Sequence, residues 1–398
     1  MEVFAPDEIA IVHVMNRVVR RCFLLGTDPV TGKNFDHRKE WIEQQLQRLA
    51  ACFGIDLLAF SILSNHFHLI LRSRPDVVSA WDDREVARRW LMLCPLRKEP
   101  DGSAAEPNSM ELNSIANDPQ KLKTIRLRLS DIGWWMRCLS QQIAIRANRE
   151  DNENGRFWQG RYRAVRLLDE AAVLACAAYV DLNPIRAAMA ETLEQSDFTS
   201  VQRRIQSLTE QLAGEPEALS QNLVEDASEP DQLNIHRASG SPASAIPVSE
   251  IPDSGGANPQ VNPLPHGSVP NLRLADRFLS PLRIDECHGA IGPDLSTTGF
   301  RCSNKGFLPF TGLDYLELLD WTARQLVPGK QGSTPRSVPP ILERLNVTPK
   351  AWIALTADFG NLFSHIAGRP QVIDETRSRV HQHRFRMRTG ARDLLTGA

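Results

Sequence analysis

The sequence predicts an α+β protein whose first half follows the order β-α-β-β-α-β. The segment 66–72 alternates polar and apolar side chains, which is typical of a strand with one covered face. The apolar run 56–63 directly precedes it, so two strands meet at a short turn. Amphipathic helical patterns stand before and after this pair. Strands joined by a short turn pair antiparallel, so we expect an antiparallel sheet with helices packed against it.

The remaining elements follow from local patterns. Residues 9–19 are rich in β-branched side chains and predict the first strand. Residues 35–53 place apolar side chains at helical spacing and charged ones opposite, which predicts an amphipathic helix. After the strand pair, residues 129–148 predict a long helix and residues 162–168 a strand. Together these segments complete the β-α-β-β-α-β order.

His66 and His68 are two residues apart in a predicted strand, so both imidazoles lie on one face while Phe67 and Leu69 point to the other. Two neighbouring imidazoles are a common start of a divalent-metal site, which needs at least one further ligand. The alternative is a pair of polar residues on a solvent-facing surface. The sequence leaves both interpretations open at this point.

A later segment places a tyrosine and an amide side by side. Acidic residues at 169–170 begin a helical pattern that Asn183-Pro184 closes, because the residue before proline avoids the helical region. Tyr179 and Asn183 are four residues apart and share a helix face. This arrangement suits a tyrosine nucleophile with a metal-ligating neighbour.

Composition sets broad limits. The 398 residues exceed one ordinary domain, and 42% hydrophobic with 24% charged residues is typical of globular protein. The net charge of −2 does not indicate nucleic-acid binding, so any evidence for such binding must come from a local cluster of residues. The seven cysteines form no C-x-x-C pair, and no apolar run or signal-peptide pattern stands out. We expect a soluble, cytoplasmic protein associated with the nucleoid.

The local case for nucleic acid is a basic and aromatic cluster at residues 156–166. Arginines bind phosphates and aromatic rings stack on unpaired bases. The alternative is a strand whose arginines are solvated while its aromatic residues pack. The residues we predict to contact DNA are Arg17, Arg156, Trp158, Arg161, Tyr162, Arg163, Arg166 and Arg186.

Three further regions lie outside this core pattern. Residues 75–127 are predicted to be an insertion, with a helix at 86–93 and a polar loop at 95–120. Residues 207–271 are polar and rich in Pro, Gly and Ser, which predicts a disordered linker after a catalytic domain at 1–206. Residues 272–398 predict a small, mainly helical accessory domain with a basic tail.

Three ordered motifs resemble one family. Asn65-His66-Phe67-His68, the GRFWQGRYR segment at 155–163, and Tyr179-x-x-Leu-Asn-Pro-Ile-Arg-Ala at 179–187 occur in the order seen in REP-associated tyrosine transposases. These belong to the single-tyrosine HUH (His–hydrophobe–His) nuclease superfamily. The resemblance covers residues 8–204, about half of the chain.

The resemblance implies a fold and a chemistry. The fold would be a ferredoxin-like (RRM-like) palm with the two histidines central and helices on one face. Tyr179 would be the nucleophile, and His66, His68 and Asn183 would hold Mg²⁺ or Mn²⁺. The substrate would be single-stranded DNA at hairpin-forming repeats, cleaved and rejoined through a 5′-phosphotyrosine. A homodimer is compatible with this reading.

Alternatives remain at the level of residues and of function. Tyr162 competes with Tyr179 as the nucleophile, Tyr315 is expected in a core, and Asp181 is an alternative ligand that faces away from Tyr179. A second His-x-His at 381–383 is rejected as the metal site, because helix or coil would point its imidazoles apart. The rival functions are a non-catalytic single-stranded nucleic-acid-binding module, an interaction protein and a metal-dependent hydrolase.

Overall fold

The computed structural model describes residues 7–19, 22–211, 274–284, 292–326, 340–380 and 388–395. Residues 1–207 and 275–398 form one compact unit, and residues 208–274 form another. Of the second unit only helical residues 208–211 and residue 274 are described. Most of the predicted linker at 207–271 therefore lies outside the described residues.

The sheet has the strand order of a ferredoxin-like fold, so the predicted α+β class is confirmed. The order across the sheet is β2-β3-β1-β4-β5. β1 pairs antiparallel with both β3 and β4, β2 pairs antiparallel with β3, and the short β5 runs parallel to β4. The strands are β1 (Ile11–Arg17), β2 (Ile55–Ile62), β3 (His66–Ser73), β4 (Arg163–Leu167) and β5 (Ile366–Ala367).

Helices account for most of the remaining described residues. They are α1 (His37–Cys52), α2 (Pro75–Ala80), α3 (Asp83–Leu93), α4 (Ser109–Ala116), α5 (Pro119–Leu129), α6 (Ile132–Asp151), α7 (Glu170–Asp181), α8 (Asn183–Arg186), α9 (200–211), α10 (Gly312–Leu326), α11 (Pro340–Arg344), α12 (Pro349–Leu362), α13 (Pro370–Val380) and α14 (Thr389–Leu394). Among the described residues, no helix has the length and apolar character needed to cross a membrane.

Helices cover both faces of the sheet, whereas we predicted them on one face. Val12, Val14 and Leu69 pack with α1 and α6 in one core. Ile70 and Val165, on the opposite face, pack with α7, α10 and α12 in another. The second face is covered because α7 is apolar almost all round, with only Tyr179 and Glu170 less than fully buried along it.

The insertion has more helix than the sequence suggested. The segment predicted as a polar loop at 95–120 contains α4 and the start of α5, and α2 to α5 share a small core around Trp81, Ile115 and Leu129. Asn108 caps α4 in a reciprocal capping box with Glu111. Caps of this kind can begin a helix even where the sequence is polar. A search for hydrophobic periodicity therefore did not predict α4 or the start of α5.

Residues 275–398 do not form a unit of their own, in contrast to the predicted accessory domain. Asp56 on β2 is fully buried and accepts hydrogen bonds from Arg72 Nε at 2.9 Å, Arg74 Nη1 at 3.0 Å and Ser303 Oγ at 2.7 Å. Arg72 also donates to the Gly306 carbonyl at 2.8 Å. Burial raises the pKa of Asp56, but the two arginines together with hydrogen bonds from Ser303 and Cys302 outweigh that effect, and the net pKa is lowered. This buried network joins the sheet to the C-terminal segment.

Replacing the Asp56 carboxylate should destabilise this unit strongly. In Asp56→Asn, Arg72 stays buried without its counter-charge and Arg74 keeps only its pair with Asp76, so we expect the free energy of unfolding to fall by about 3–5 kcal/mol. Urea unfolding measures this change. The control is Asp83→Asn, which removes the ion pair between Asp83 and Arg126. The Asp83 carboxylate is 57% exposed, so this substitution should change stability little. Equal effects of the two substitutions would contradict the structural role of the network.

Candidate active site

Three imidazoles meet on one face of the central strands. The register places Met15 opposite His68 and Arg17 opposite His66, so His13 on β1 shares the face of the β3 pair. His13 Nε2 lies 2.9 Å from His68 Nδ1, with the two rings stacked. The ring centroids of His66 and His68 are 5.0 Å apart. The sequence singled out the β3 pair but not His13.

The neighbours of the two β3 histidines leave one nitrogen of each for a ligand. His66 Nδ1 lies 2.7 Å from Asn65 Oδ1, an acceptor, so Nδ1 carries the proton. We assign the proton of His68 to Nδ1 as well, where it is donated to His13 Nε2. In these tautomers the Nε2 atoms of His66 and His68 both keep their lone pairs. His68 Nε2 is buried and has no hydrogen-bond partner. An orphaned, lone-pair-bearing nitrogen of this kind fits a metal ligand.

All three imidazoles are held neutral. Burial lowers the pKa of His13 to about 3, with Arg163 adding to the effect, and lowers that of His66 to about 4, with Arg17 adding to it. Burial also lowers the pKa of His68 well below its usual value. Because neutral imidazole is the form that binds metal, the site is in its ligating state at neutral pH.

α7 carries the Tyr179 phenol to this cluster. The Tyr179 ring centroid lies 5.3 Å from that of His68 and 6.0 Å from that of His13. The Arg186 guanidinium sits over the phenol ring at 4.7 Å. Burial raises the pKa of Tyr179, and Arg186 partly opposes that effect. The structure therefore brings the predicted tyrosine and both predicted histidines together.

The C-terminal segment completes the site, which local sequence did not indicate. α12 departs from helical geometry at Asp358, and the Phe359 ring that follows lies 6.0 Å from that of Tyr179. The Gly360 carbonyl accepts a hydrogen bond from Arg163 Nη2 at 3.2 Å. A Cβ atom on Gly360 would lie 3.0 Å from Tyr179 Oη. Gly360 thus gives the phenol oxygen the space it occupies.

We predict that Gly360→Ala slows the chemistry without preventing binding. The added methyl group must shift the Tyr179 hydroxyl slightly, and a small misplacement of a reacting group should cost up to about tenfold in rate. The rate of covalent DNA–protein adduct formation at saturating DNA measures this. Gly155→Ala is the matched control, because a Cβ there meets nothing within 4 Å. Equal rates for the two variants would show that Gly360 does not position Tyr179.

These residues enclose a cavity of about 510 Å³, which we call the histidine cavity. Its lining combines the imidazoles and the phenol with several basic and amide groups. The lining residues are His13, Met15, Asn16, Arg17, His66, His68, Gln159, Gly160, Arg161, Arg163, Val165, Tyr179, Gly360 and Asn361. Basic groups beside a phenol and neutral imidazoles suit an anionic occupant.

Asn183, the predicted third metal ligand, is not among the residues that line the histidine cavity. α7 ends at Asp181, and the buried Asn183 begins the separate helix α8. The prediction assumed one continuous helix through both Tyr179 and Asn183.

Within the described residues, no group of three or more His, Cys, Asp and Glu side chains is arranged to hold a metal. The second His-x-His at 381–383 lies outside the described residues.

Several predicted DNA-contacting residues have other partners. Arg166 is buried and pairs with Glu8, so it faces the protein and not a DNA surface. Trp158 donates from Nε1 to the Ser140 carbonyl at 2.8 Å and packs edge-on against Phe67. Arg17, Arg161 and Arg163 are exposed and line the histidine cavity, whereas the exposed Arg156 does not line it.

The competing tyrosines lie elsewhere. Tyr162 lines a neighbouring cavity and is absent from the lining of the histidine cavity. Tyr315 is buried, as predicted, and donates from its hydroxyl to Asp181 Oδ2 at 2.7 Å. Asp181 also accepts a hydrogen bond from the Val201 backbone at 3.0 Å. Asp181 therefore joins α7 to α9 and α10 and is not placed to bind a metal beside Tyr179.

Comparison with protein-family models gives no match, and comparison with curated proteins gives none. Comparison with solved structures finds similarity to one described as "Structure of the REP associates tyrosine transposase bound to a REP hairpin". The two chains are 10% identical, the match covers 49% of this chain and 79% of that one, and the TM-score is 0.29. At this level of similarity we draw the functional conclusion from the residues of this chain alone.

Proposed function

We propose that this chain is a single-stranded DNA transesterase that cleaves and rejoins DNA through a 5′-phosphotyrosine intermediate. One observation carries the proposal: the Tyr179 phenol lies beside His66 and His68 in a cavity lined by arginines, and the buried Nε2 atom of His68 has no hydrogen-bond partner. The three ordered motifs of the sequence point the same way. Hairpin-forming repeats are the proposed substrate, as the resemblance implies.

His66 and His68 would hold Mg²⁺ or Mn²⁺ through Nε2. A bound ion would supply Lewis-acid polarisation of the scissile phosphate. Asn65 and His13 orient the two rings by occupying their Nδ1 atoms. Orienting partners of this kind fix the tautomer and raise the basicity of the ligating nitrogen.

Tyr179 Oη attacks phosphorus, and the bond from phosphorus to the 3′ oxygen breaks. The phenol proton leaves with the departing 3′-OH or with water, and a new bond links Tyr179 to the 5′ phosphate. The intermediate keeps the energy of the phosphodiester, so a second 3′-OH can reverse the reaction and join strands. Burial raises the pKa of Tyr179 and so favours the protonated phenol, and Arg186, which is stacked on the ring, lowers that pKa. Arg17, Arg161 and Arg163 line the cavity where the phosphates would lie.

The test is incubation of the full chain with single-stranded DNA hairpins and Mn²⁺, followed by denaturing gels. The proposal predicts a covalent DNA–protein adduct and a free 3′-OH fragment, both lost on chelation of the metal. Cleavage without an adduct would instead indicate a metal-dependent hydrolase. Binding without cleavage would indicate a non-catalytic nucleic-acid-binding module. Either result would contradict the proposal.

A further inference from the structure

A second cavity adjoins the histidine cavity, and we call it the side cavity. It has a volume of about 1030 Å³ and lies between α5, α6, β4 and the C-terminal residues 364–365. The two cavities share four lining residues, Asn16, Gly160, Arg161 and Arg163. A polymer bound in the histidine cavity can therefore extend directly into the side cavity.

The side cavity is basic. Arg128 and Arg137 line it in addition to Arg161 and Arg163. The lining includes one acidic side chain, that of Asp131, which accepts a hydrogen bond from the Gly133 backbone at 2.6 Å as the cap of α6. An excess of guanidinium groups over carboxylates favours a polyanionic occupant.

The side cavity is also aromatic. Trp134, Trp158 and Tyr162 line it, and each is half-buried, with part of its surface free. The guanidinium groups of Arg128 and Arg137 lie 4.4 Å and 4.8 Å from the centre of the Trp134 ring. An arginine held against an indole is ordered in advance and keeps its N–H groups for a phosphate. Basic groups interleaved with aromatic rings are what single-stranded nucleic acid needs.

We infer that the side cavity binds unpaired nucleotides of the strand whose phosphate enters the histidine cavity. This inference rests on the proposed function, because the strand reaches the side cavity from the scissile phosphate. Part of the wall, including Arg128, comes from α5, which begins inside the insertion at 75–127 and ends two residues after it. Phosphates would pair with the arginines, and bases would stack on the aromatic and guanidinium surfaces.

α6 offers a matched pair of variants. Arg137 and Arg146 are both exposed residues of α6, and each guanidinium lies over an indole, at 4.8 Å from Trp134 and 4.7 Å from Trp41. Arg137 lines the side cavity and Arg146 does not. Arg137→Gln and Arg146→Gln therefore remove the same charge and the same stacking contact, and differ only in their relation to the cavity.

The experiment measures binding by fluorescence anisotropy in the Tyr179→Phe background, so that no strand is cut. The probes are a fluorescein-labelled DNA hairpin with ten-nucleotide single-stranded tails on both ends and the same hairpin without tails. Arg137→Gln should weaken binding of the tailed hairpin about three- to tenfold and lower its salt slope by about 0.7. It should affect the tailless hairpin less, and Arg146→Gln should leave both unchanged.

Trp134→Leu provides a second measurement, with an expected loss of roughly tenfold for the tailed hairpin from lost stacking. Equal affinities of the Arg137→Gln and Arg146→Gln proteins would overturn the inference, and so would equal losses for tailed and tailless DNA. If the wild-type chain forms the covalent adduct and these differences are absent, only the inference fails. If the differences are present and no adduct forms, the binding of unpaired nucleotides in the side cavity is supported and the proposed transesterase function fails.

Discussion

Tyr179→Phe should abolish covalent attachment of DNA while leaving binding of single-stranded hairpins intact. The substitution removes the attacking oxygen and keeps the ring that contacts His68 and Arg186. Without the oxygen no phosphotyrosine can form, so adduct formation should fall below detection on denaturing gels. Because the ring still packs, the fold and the arginine-lined surface should be unchanged.

Tyr162→Phe is the matched control for this result. Tyr162 is half-buried like Tyr179, but it lines the side cavity and not the histidine cavity. The control protein should form the adduct at a rate close to that of the unmodified chain. Adduct formation that survives Tyr179→Phe and disappears in Tyr162→Phe would assign the nucleophile to Tyr162 and contradict our account.

His68→Gln should reduce the rate of adduct formation by on the order of a hundredfold or more. His68 is buried, and its Nε2 is the nitrogen that the surroundings leave without a partner. Loss of a ligand removes part of the charge stabilisation that a bound metal supplies, which is worth several kcal/mol at the transition state. Titration with Mn²⁺ should show a weaker apparent affinity for the ion in the variant, measured by rate as a function of Mn²⁺ concentration.

His37→Gln controls for the loss of an imidazole as such. His37 is exposed on α1 and pairs with Glu150 at 2.8 Å, away from the residues of the histidine cavity. Its removal should leave the rate and the Mn²⁺ dependence unchanged. A His68→Gln protein with an unchanged Mn²⁺ dependence would show that the metal, if required, is bound elsewhere.

Local patterns predicted the elements that carry the site. Strand alternation placed His66 and His68 on one face, and the apolar run before them gave β2, which begins at Ile55, within one residue of the predicted start. These features depend on residues a few positions apart, and sequence patterns describe that range well.

Features set by distant contacts were missed. His13 joins the site only because of the β1–β3 register, which pairs residues from 49 (Arg17 with His66) to 61 (Ile11 with Arg72) positions apart. Gly360 reaches Tyr179 because the C-terminal segment covers the second face of the sheet, and no local pattern indicates such a contact. The ligand role of Asn183 stays a prediction, because Asn183 does not line the histidine cavity and α7 ends two residues before it. Tertiary geometry decided the cases of His13 and Gly360, whereas the end of α7 is a local feature of the backbone.

Peptide mapping of the DNA-linked protein tests the central claim most directly. After incubation with a single-stranded hairpin and Mn²⁺, nuclease and protease digestion should leave one modified peptide, identified by mass spectrometry. We predict a nucleotide phosphate on Tyr179, within the peptide that follows Arg166. A phosphate on any other residue, or reproducible cleavage with no modified peptide, would contradict the assignment of Tyr179 as the nucleophile.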